Sequence, residues 1–246
     1  LKDLANSIQT CFSPATYPLF ADSDSIVVVV DIFRATSAIC TAIQHGVERM
    51  IPVASIEDAQ RYKDLGFLVA AERNAVMLEG FDFGNSPFHY MTPDVQGKTI
   101  AISTTNGTQA IEAAKDAAVI AIGSFLNIQA LANWIKPQGR NVIILCAGWK
   151  NKFNLEDTLF AGALAGLLLE DDRFSTTCDS SIAAGYLYEK ASSDLFGFLE
   201  NSSHRNRLKN LNLEKDIRYC LSVNTLDIIP VVQDGGIVSV KNLATV

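Results

Sequence analysis

Residues 26–37 read IVVVVDIFRATS, and the fold follows from how this stretch is taken. Five consecutive β-branched side chains, Ile26 to Val30, are stiff and suit a pleated, packed surface, so they predict a strand buried on both faces. Such strands belong to parallel sheets covered by helices. Asp31 and Arg34 then place opposite charges at the strand tip, with Thr36 and Ser37 just behind. A buried strand gains nothing from charges at its end unless the end faces something polar.

Outward from this stretch the same alternation repeats. ATSAICTAIQHG (35–46) predicts a helix and ERMIPVA (48–54) a strand. SIEDAQRYKDLG (55–66) predicts a helix opened by a Ser-x-x-Asp cap and closed by Gly66. Then follow the strand FLVAAE (67–72), a Gly-rich loop (79–90), the strand KTIAIST (98–104) and a helix after Gly107. AVIAIG (118–123), a helix from Asn127, and NVIILCAG (141–148) complete the series. Strands alternating with helices imply crossover connections, hence a three-layer α/β/α class with a mostly parallel sheet. Past Glu156 the chain is richer in helix: an apolar helix over 157–170, a largely helical 178–221, and a return to strand only in IIPVVQDGGIVSV (228–240). No flexible linker interrupts the 246 residues. The expectation is one compact unit over 1–246, or two packed α/β halves meeting near 150–175.

Composition excludes several classes. At 48% hydrophobic and 19% charged the chain is too apolar for disorder and long enough for a sizeable core. It contains no run of eighteen apolar residues, and its first residues lack a basic region followed by an apolar one, so neither a membrane span nor a signal peptide is expected. Five cysteines without a C-x-x-C pair read as thiols of a reducing, cytoplasmic compartment. A net charge of −7 without a basic run argues against nucleic acid. Any positive field for an anionic ligand must be local. The small residues of the 157–170 helix, Ala161, Gly162, Ala163, Ala165 and Gly166, allow close helix approach and raise the expectation of a homodimer.

Polar residues recur where strands end: Asp31, Arg34, Thr36 and Ser37; Glu72 and Arg73; Thr104 to Thr108 (TTNGT, with Thr105, Asn106 and Gly107); Ser124; and Glu156 with Asp157. In an open parallel sheet these loops share the edge where ligands bind. Asp31, Glu72, Glu156 and Asp157 offer hard oxygen donors, and no His/Cys arrangement selects zinc, so magnesium is the expected metal, with Asp31, Glu156 and Asp157 as ligands. Arginine forks at Arg34 and Arg73 suit phosphate or carboxylate, and TTNGT at a helix start suits an anion. Metal, forks and helix start together are the apparatus of phosphoryl transfer, with Asp31, Arg34 and Glu72 as catalytic candidates. Each has a plainer alternative. Asp31 and Arg34 read equally as a helix cap with a solvated ion pair, TTNGT as a turn with a capping Thr, and Glu156-Asp157 as complements to a helix dipole. Asn85 and Ser86 in GNSP either shape a turn or bind ligand; His45 and His89 read as structural, and His204 as either.

DIFRATSAI (31–39), ERNAVMLEGFDFGNSP (72–87), STTNGTQAI (103–111) and CAGWKNKFNLEDTLFAGAL (146–164) resemble, in order and spacing, the signature segments of the 2-phosphosulfolactate phosphatase family. The resemblance covers about residues 25–167, with a weaker echo in SSHRNRLKNLN (202–212). It implies a magnesium-dependent phosphatase acting on a small anionic phosphorylated substrate of the 2-phospho-3-sulfolactate type, as in coenzyme M biosynthesis. The chain departs from the family where glycines usually follow the Glu-Arg pair: here stand Asn74 and Ala75. Two rivals are weighed. A haloacid dehalogenase-type phosphatase also starts from an Asp at a strand tip, but it needs a second acid two residues on, where this chain has Phe33. A non-catalytic binder of anionic metabolites would use the same edge without turnover.

Overall fold

The computed structural model describes residues 5–104 and 106–242, so Thr105 lies outside the described residues. Eleven strands form one sheet: β1 (Asn6–Cys11), β2 (Ile26–Val30), β3 (Arg49–Pro52), β4 (Leu68–Arg73), β5 (Val76–Met77), β6 (Thr99–Ser103), β7 (Val119–Gly123), β8 (Val142–Cys146), β9 (Phe174–Ser175), β10 (Pro230–Gln233) and β11 (Gly236–Ser239). The helices of the first half are α1 (Ala35–Gln44), α2 (Ile56–Asp64), α3 (Gly107–Ala113) and α4 (Ile128–Ile135). After them come α5 (Leu155–Leu169), α6 (Asp179–Ala191), α7 (Leu195–Phe198), α8 (Ser203–Lys209) and α9 (Glu214–Cys220). The architecture is three-layer α/β/α, with helices concentrated in the C-terminal part as the sequence predicts.

The five β-branched residues of β2 are fully buried, and they divide by the two-residue period of a strand. Ile26, Val28 and Val30 pack with Ile144 of β8 and with Leu131, Phe160 and Leu164 of α4 and α5. Val27 and Val29 face the other way, with Ile143, Leu145, and Ile39 and Ile43 of α1. One strand thus holds two helical layers apart. At the α2 start the Ser55 hydroxyl accepts the Asp58 N–H at 3.0 Å, and Gly66 follows at φ +87°.

The strand order is β5-β4-β6-β3-β11-β10-β7-β2-β8-β1-β9. Two groups are parallel, β4-β6-β3 and β7-β2-β8-β1-β9. Between them lies the antiparallel β10–β11 hairpin, joined to β7 by the pair Val231–Ala121 and to β3 by the pair Ile237–Met50. Three antiparallel steps therefore separate β3 from β7, and the two groups run in opposite directions along the sheet. Residues 6–11, NSIQTC, carry no apolar run to announce a strand, yet β1 pairs with β8 from Ile8–Val142 to Cys11–Leu145. The close helix approach suggested by the small residues of α5 is made within the chain, against α6: a Cβ on Gly162 would run into the Ala184 carbonyl.

Candidate active site

The site begins at the tip of β2. The Asp31 N–H donates to Thr36 Oγ1 at 3.1 Å, and Ser37 Oγ donates to the Ile32 carbonyl at 3.0 Å, which folds the loop back onto the start of α1. The Ile32 N–H donates to Asp157 Oδ1 at 2.9 Å, tying this loop to α5. These bonds leave the Asp31 carboxylate facing α3, where a Cβ on Gly107 would stand 3.5 Å from Asp31 Oδ2, 3.1 Å from Ala35 Cβ and 3.2 Å from Thr104 Oγ1. Glycine at 107 is what lets α3 lie this close to the acid. Asp31 is only 5% exposed, and among the described residues no hydrogen bond reaches its carboxylate oxygens. Burial pushes its pKa up to about 6; Glu72 and Glu156 add to the rise, while His204 and Arg34 oppose it.

Arg34 is buried and already engaged. Nη1 donates to Asp216 Oδ2 at 2.7 Å, and Nη2 donates to Glu72 Oε2 at 2.8 Å and to the Ala75 carbonyl at 3.0 Å. The guanidinium ties together the β2 loop, the end of β4 and α9. The sequence expectation of a phosphate fork at Arg34, and of its pairing with Asp31, meets here a residue whose two terminal nitrogens are occupied by other carboxylates. Asn74 and Ala75 form the two-residue turn between β4 and β5, at φ 53° and 66°. That geometry is the left-handed pair of a tight hairpin, which glycine adopts without strain and which Asn74 and Ala75 adopt here.

Glu156 and Asp157 open α5 and differ in role. Asp157 accepts from the Ile32 N–H, from the Gly148 N–H at 3.1 Å and from Asn154 Nδ2 at 2.9 Å. Burial beside Asp31 and Glu156 drives its pKa well above the usual carboxylate range, against those bonds. Asp157 therefore serves as a clamp between two loops. Glu156 Oε1 accepts from Asn154 Nδ2 at 3.1 Å and from His204 Nδ1 at 2.6 Å, but its Oε2 is buried without a partner, as is Asn154 Oδ1.

Magnesium can be tested against these donors. Among the described residues no three His, Cys, Asp or Glu side chains cluster at ligand spacing. Magnesium, however, commonly takes one or two carboxylates and completes its octahedron with waters and substrate phosphate. Asp31 and the orphaned Glu156 Oε2 and Asn154 Oδ1 are hard oxygens in need of such a partner. The donor chemistry suits magnesium, while Asp157 already accepts from Ile32, Gly148 and Asn154.

The cleft around Asp31 is lined also by Phe33, Arg34, Glu72, Asn74, Asn85, Thr104, Asn106, Trp149, His204 and Arg207. Its enclosed part holds about 20 Å³, room for about one water. Past Glu72, Asn74, Thr104 and Trp149 it adjoins an open cavity of about 440 Å³ bordered by Arg73, Lys150, Ser103 and Ser55. The structure therefore brings together Asp31, Arg34, Glu72, Asn85, Thr104 and Asn106, with Glu156 behind His204. Thr36, Ser37 and Ser124 stand beneath the loop: Ser37 and Ser124 share a hydrogen bond at 3.0 Å, and Ser124 Oγ accepts the Leu126 N–H. Ser86 borders a neighbouring cavity with Met77 and Leu211, and Arg73 lies in the open part. Thr108 turns to its own backbone, donating from Oγ1 to the Thr104 carbonyl at 2.9 Å, while its N–H donates to Thr104 Oγ1 at 3.2 Å.

Sequence reasoning left His204 open between two roles and missed Trp149, Asn154, Arg207 and Asp216. His204 and Arg207, three residues apart on α8, share one helical face, a spacing legible in SSHRNRLKNL. Asp216 offers no such signal. His89 has a structural role, its Nδ1 accepting the Gly84 N–H at 2.9 Å.

The polar cleft, its orphaned carboxylates and its arginines suit phosphate-ester chemistry, and comparison with known proteins agrees. A family model described as 2-phosphosulpholactate phosphatase matches residues 11–235. A probable 2-phosphosulfolactate phosphatase of Clostridium novyi is 40% identical over 207 residues, 83% of this chain and 87% of its own. Proteins of the same description from Caldanaerobacter subterraneus and Thermotoga maritima are each 38% identical, over 85% of this chain and 88% and 89% of theirs. The protein is thus an enzyme, a phosphoric monoester hydrolase. It belongs to the 2-phosphosulfolactate phosphatase family.

Proposed function

We propose that the protein hydrolyses the phosphate ester of 2-phospho-3-sulfolactate, or of a closely related phosphorylated 2-hydroxy acid, in a magnesium-dependent reaction of coenzyme M biosynthesis. The observation that carries this reading is the Asp31 carboxylate, buried and without a hydrogen bond among the described residues, beside the orphaned Glu156 Oε2. A buried carboxylate without a hydrogen bond, near a second whose Oε2 lacks a partner, is costly unless a cation completes them. The relatives, described as probable 2-phosphosulfolactate phosphatases, supply the substrate class. That substrate carries phosphate, carboxylate and sulfonate, and a chain of net charge −7 can hold it only by local cations.

In this reading Asp31, Glu156 and Asn154 would hold magnesium, which supplies charge neutralisation at the phosphoryl group. Water attacks phosphorus, the ester P–O bond breaks, and the 2-hydroxy acid leaves as its oxygen takes up a proton. Without metal, burial raises the Asp31 carboxyl to about 6, so a bound cation would offset the cost of keeping it ionised. The His204 Nδ1 bond to Glu156 fixes the ring so that its other nitrogen is free for exchange with the cleft. The enclosed part beside Asp31 has room for about one water, the size of the attacking nucleophile, and the open cavity beside it has room for the ester's acid groups. We also take the chain to act as one unit, because α8 lines the cleft, Asp216 of α9 holds Arg34, and the last hairpin lies inside the sheet. Five free thiols suit a reducing compartment such as the cytoplasm.

The test is a rate comparison across phosphorylated 2-hydroxy acids with and without a sulfonate, in magnesium and in chelator. Preference for the sulfonate-bearing ester, with loss of turnover in chelator, is expected. Equal rates on sulfonate-free esters would remove the substrate assignment, and chelator-resistant turnover would remove the metal.

A further inference from the structure

The sequence directs attention to Arg34 as the residue that grips phosphate, but Arg34 is bound by Asp216, Glu72 and the Ala75 carbonyl. The other arginine lining the enclosed cleft is Arg207. Its position differs in each respect that matters for a ligand. Among the described residues Arg207 has no ion pair and no hydrogen bond, and its Nε is buried without a partner. Its guanidinium lies over the Trp149 ring at 3.6 Å, so one flat face is covered while, among the described residues, neither terminal nitrogen has a hydrogen-bond partner. Trp149 is itself fixed by paired backbone bonds with Lys152, each at 3.0 Å, across a turn in which Lys150 and Asn151 both have positive φ. A cation stacked on a held aromatic ring is oriented in advance, and an oriented guanidinium suits two parallel bonds to a phosphoryl group.

We propose that Arg207, stacked on Trp149, is the substrate-binding residue that forks the phosphoryl oxygens, and that Arg34 is a positioning residue held away from the ligand. This rests on the phosphatase activity placed in this cleft; it does not depend on which alcohol the ester carries. The burial of a donor with no acceptor is otherwise unfavourable, and a phosphoryl oxygen is the acceptor that the geometry lacks. Asp31 and Glu72 line the same cleft, so a bound phosphate would interpose itself between the arginine and these acids. The absence of a direct Arg207 ion pair with either acid keeps the fork open for that role.

The test uses the full-length protein in magnesium, with inorganic phosphate as the probe. The chain has two tryptophans, so Trp134→Phe leaves Trp149 as the sole reporter. In that background phosphate is expected to change Trp149 fluorescence saturably. Arg207→Lys and Arg207→Gln are expected to weaken phosphate binding by about tenfold or more, measured by calorimetry in the otherwise unaltered chain, with melting temperatures within a few degrees of the parent. The same variants should lose kcat/KM on every phosphomonoester alike. Trp149→Phe, which keeps a ring under the guanidinium, should retain most of the affinity. Undiminished phosphate binding in Arg207→Gln, or failure of the parent to bind phosphate, would overturn the assignment. So would a loss confined to esters bearing a carboxylate, which would move Arg207 to that arm of the substrate. A different preferred ester in the rate comparison leaves the phosphate titration as it is, so failure of the substrate reading is distinguishable from failure of this one.

Discussion

Replacing Asp31 by Asn tests whether the centre of the site is held at the expense of the fold. The folded carboxyl titrates at about 6, against 3.8 for the free side chain. Between these values the folded state binds more protons than the unfolded one, so stability falls as pH rises, and the full penalty is present above about pH 6. At 1.36 kcal/mol per pH unit, the charge on Asp31 costs the fold about 3 kcal/mol at pH 7.5 and only about 1 kcal/mol at pH 4.5. Asn keeps the shape and never ionises, and no capping bond is lost because the Asp31 carboxylate makes none among the described residues. Asp31→Asn should therefore stabilise the protein, by about 6–12 °C in melting temperature at pH 7.5 and about 2–4 °C at pH 4.5, for a chain of this size. The assay is calorimetric unfolding at the two pH values in chelator, so that no metal rewards the wild-type charge. An equal shift at both pH values, or a lower melting temperature at pH 7.5, would refute the reasoning. It would mean that the ionised acid is satisfied inside the fold.

Three further outcomes follow from contacts. Asp216→Ala leaves Arg34 Nη1 buried without its acid, and with Glu72 and the Ala75 carbonyl still in place the expected cost is about 3 kcal/mol in chemical denaturation; a cost below about 0.5 kcal/mol would show the pair to be inert. Ala75→Gly relieves a left-handed residue at φ 66°, and after the entropy lost to glycine it should stabilise by about 0.5–1 kcal/mol; a lower denaturation midpoint would mean that the Ala75 methyl matters more than the strain. Gly107→Ala places a Cβ 3.1 Å from Ala35 Cβ and 3.5 Å from Asp31 Oδ2, so turnover should fall by about tenfold or more while the fold persists; unchanged kcat would remove α3 from the site.

The run from Ile26 to Val30 determined its own fate: five stiff apolar side chains can be satisfied only by burial on both faces, and the two helical layers follow from that. The alternation of periods along 26–148 likewise carried the α/β class, and the polar strand ends carried the idea of a site, because both signals are local. Which polar residue does what was not local. Arg34 and Asp216 are 182 residues apart, and only packing α9 against the β2 loop set a carboxylate against the guanidinium that the sequence offered to phosphate. Asp157 accepts from amides of two different loops, at Ile32 and Gly148, partners that its place in the sequence does not announce. The edge shared by the strand ends was also a tertiary matter. The β10–β11 hairpin, formed from the end of the chain, separates two parallel groups running in opposite directions, yet Arg34 after β2 meets Glu72 of β4 at 2.8 Å. Side-chain type and period are written in sequence, but partnership across a cleft depends on distances set by long-range strand order.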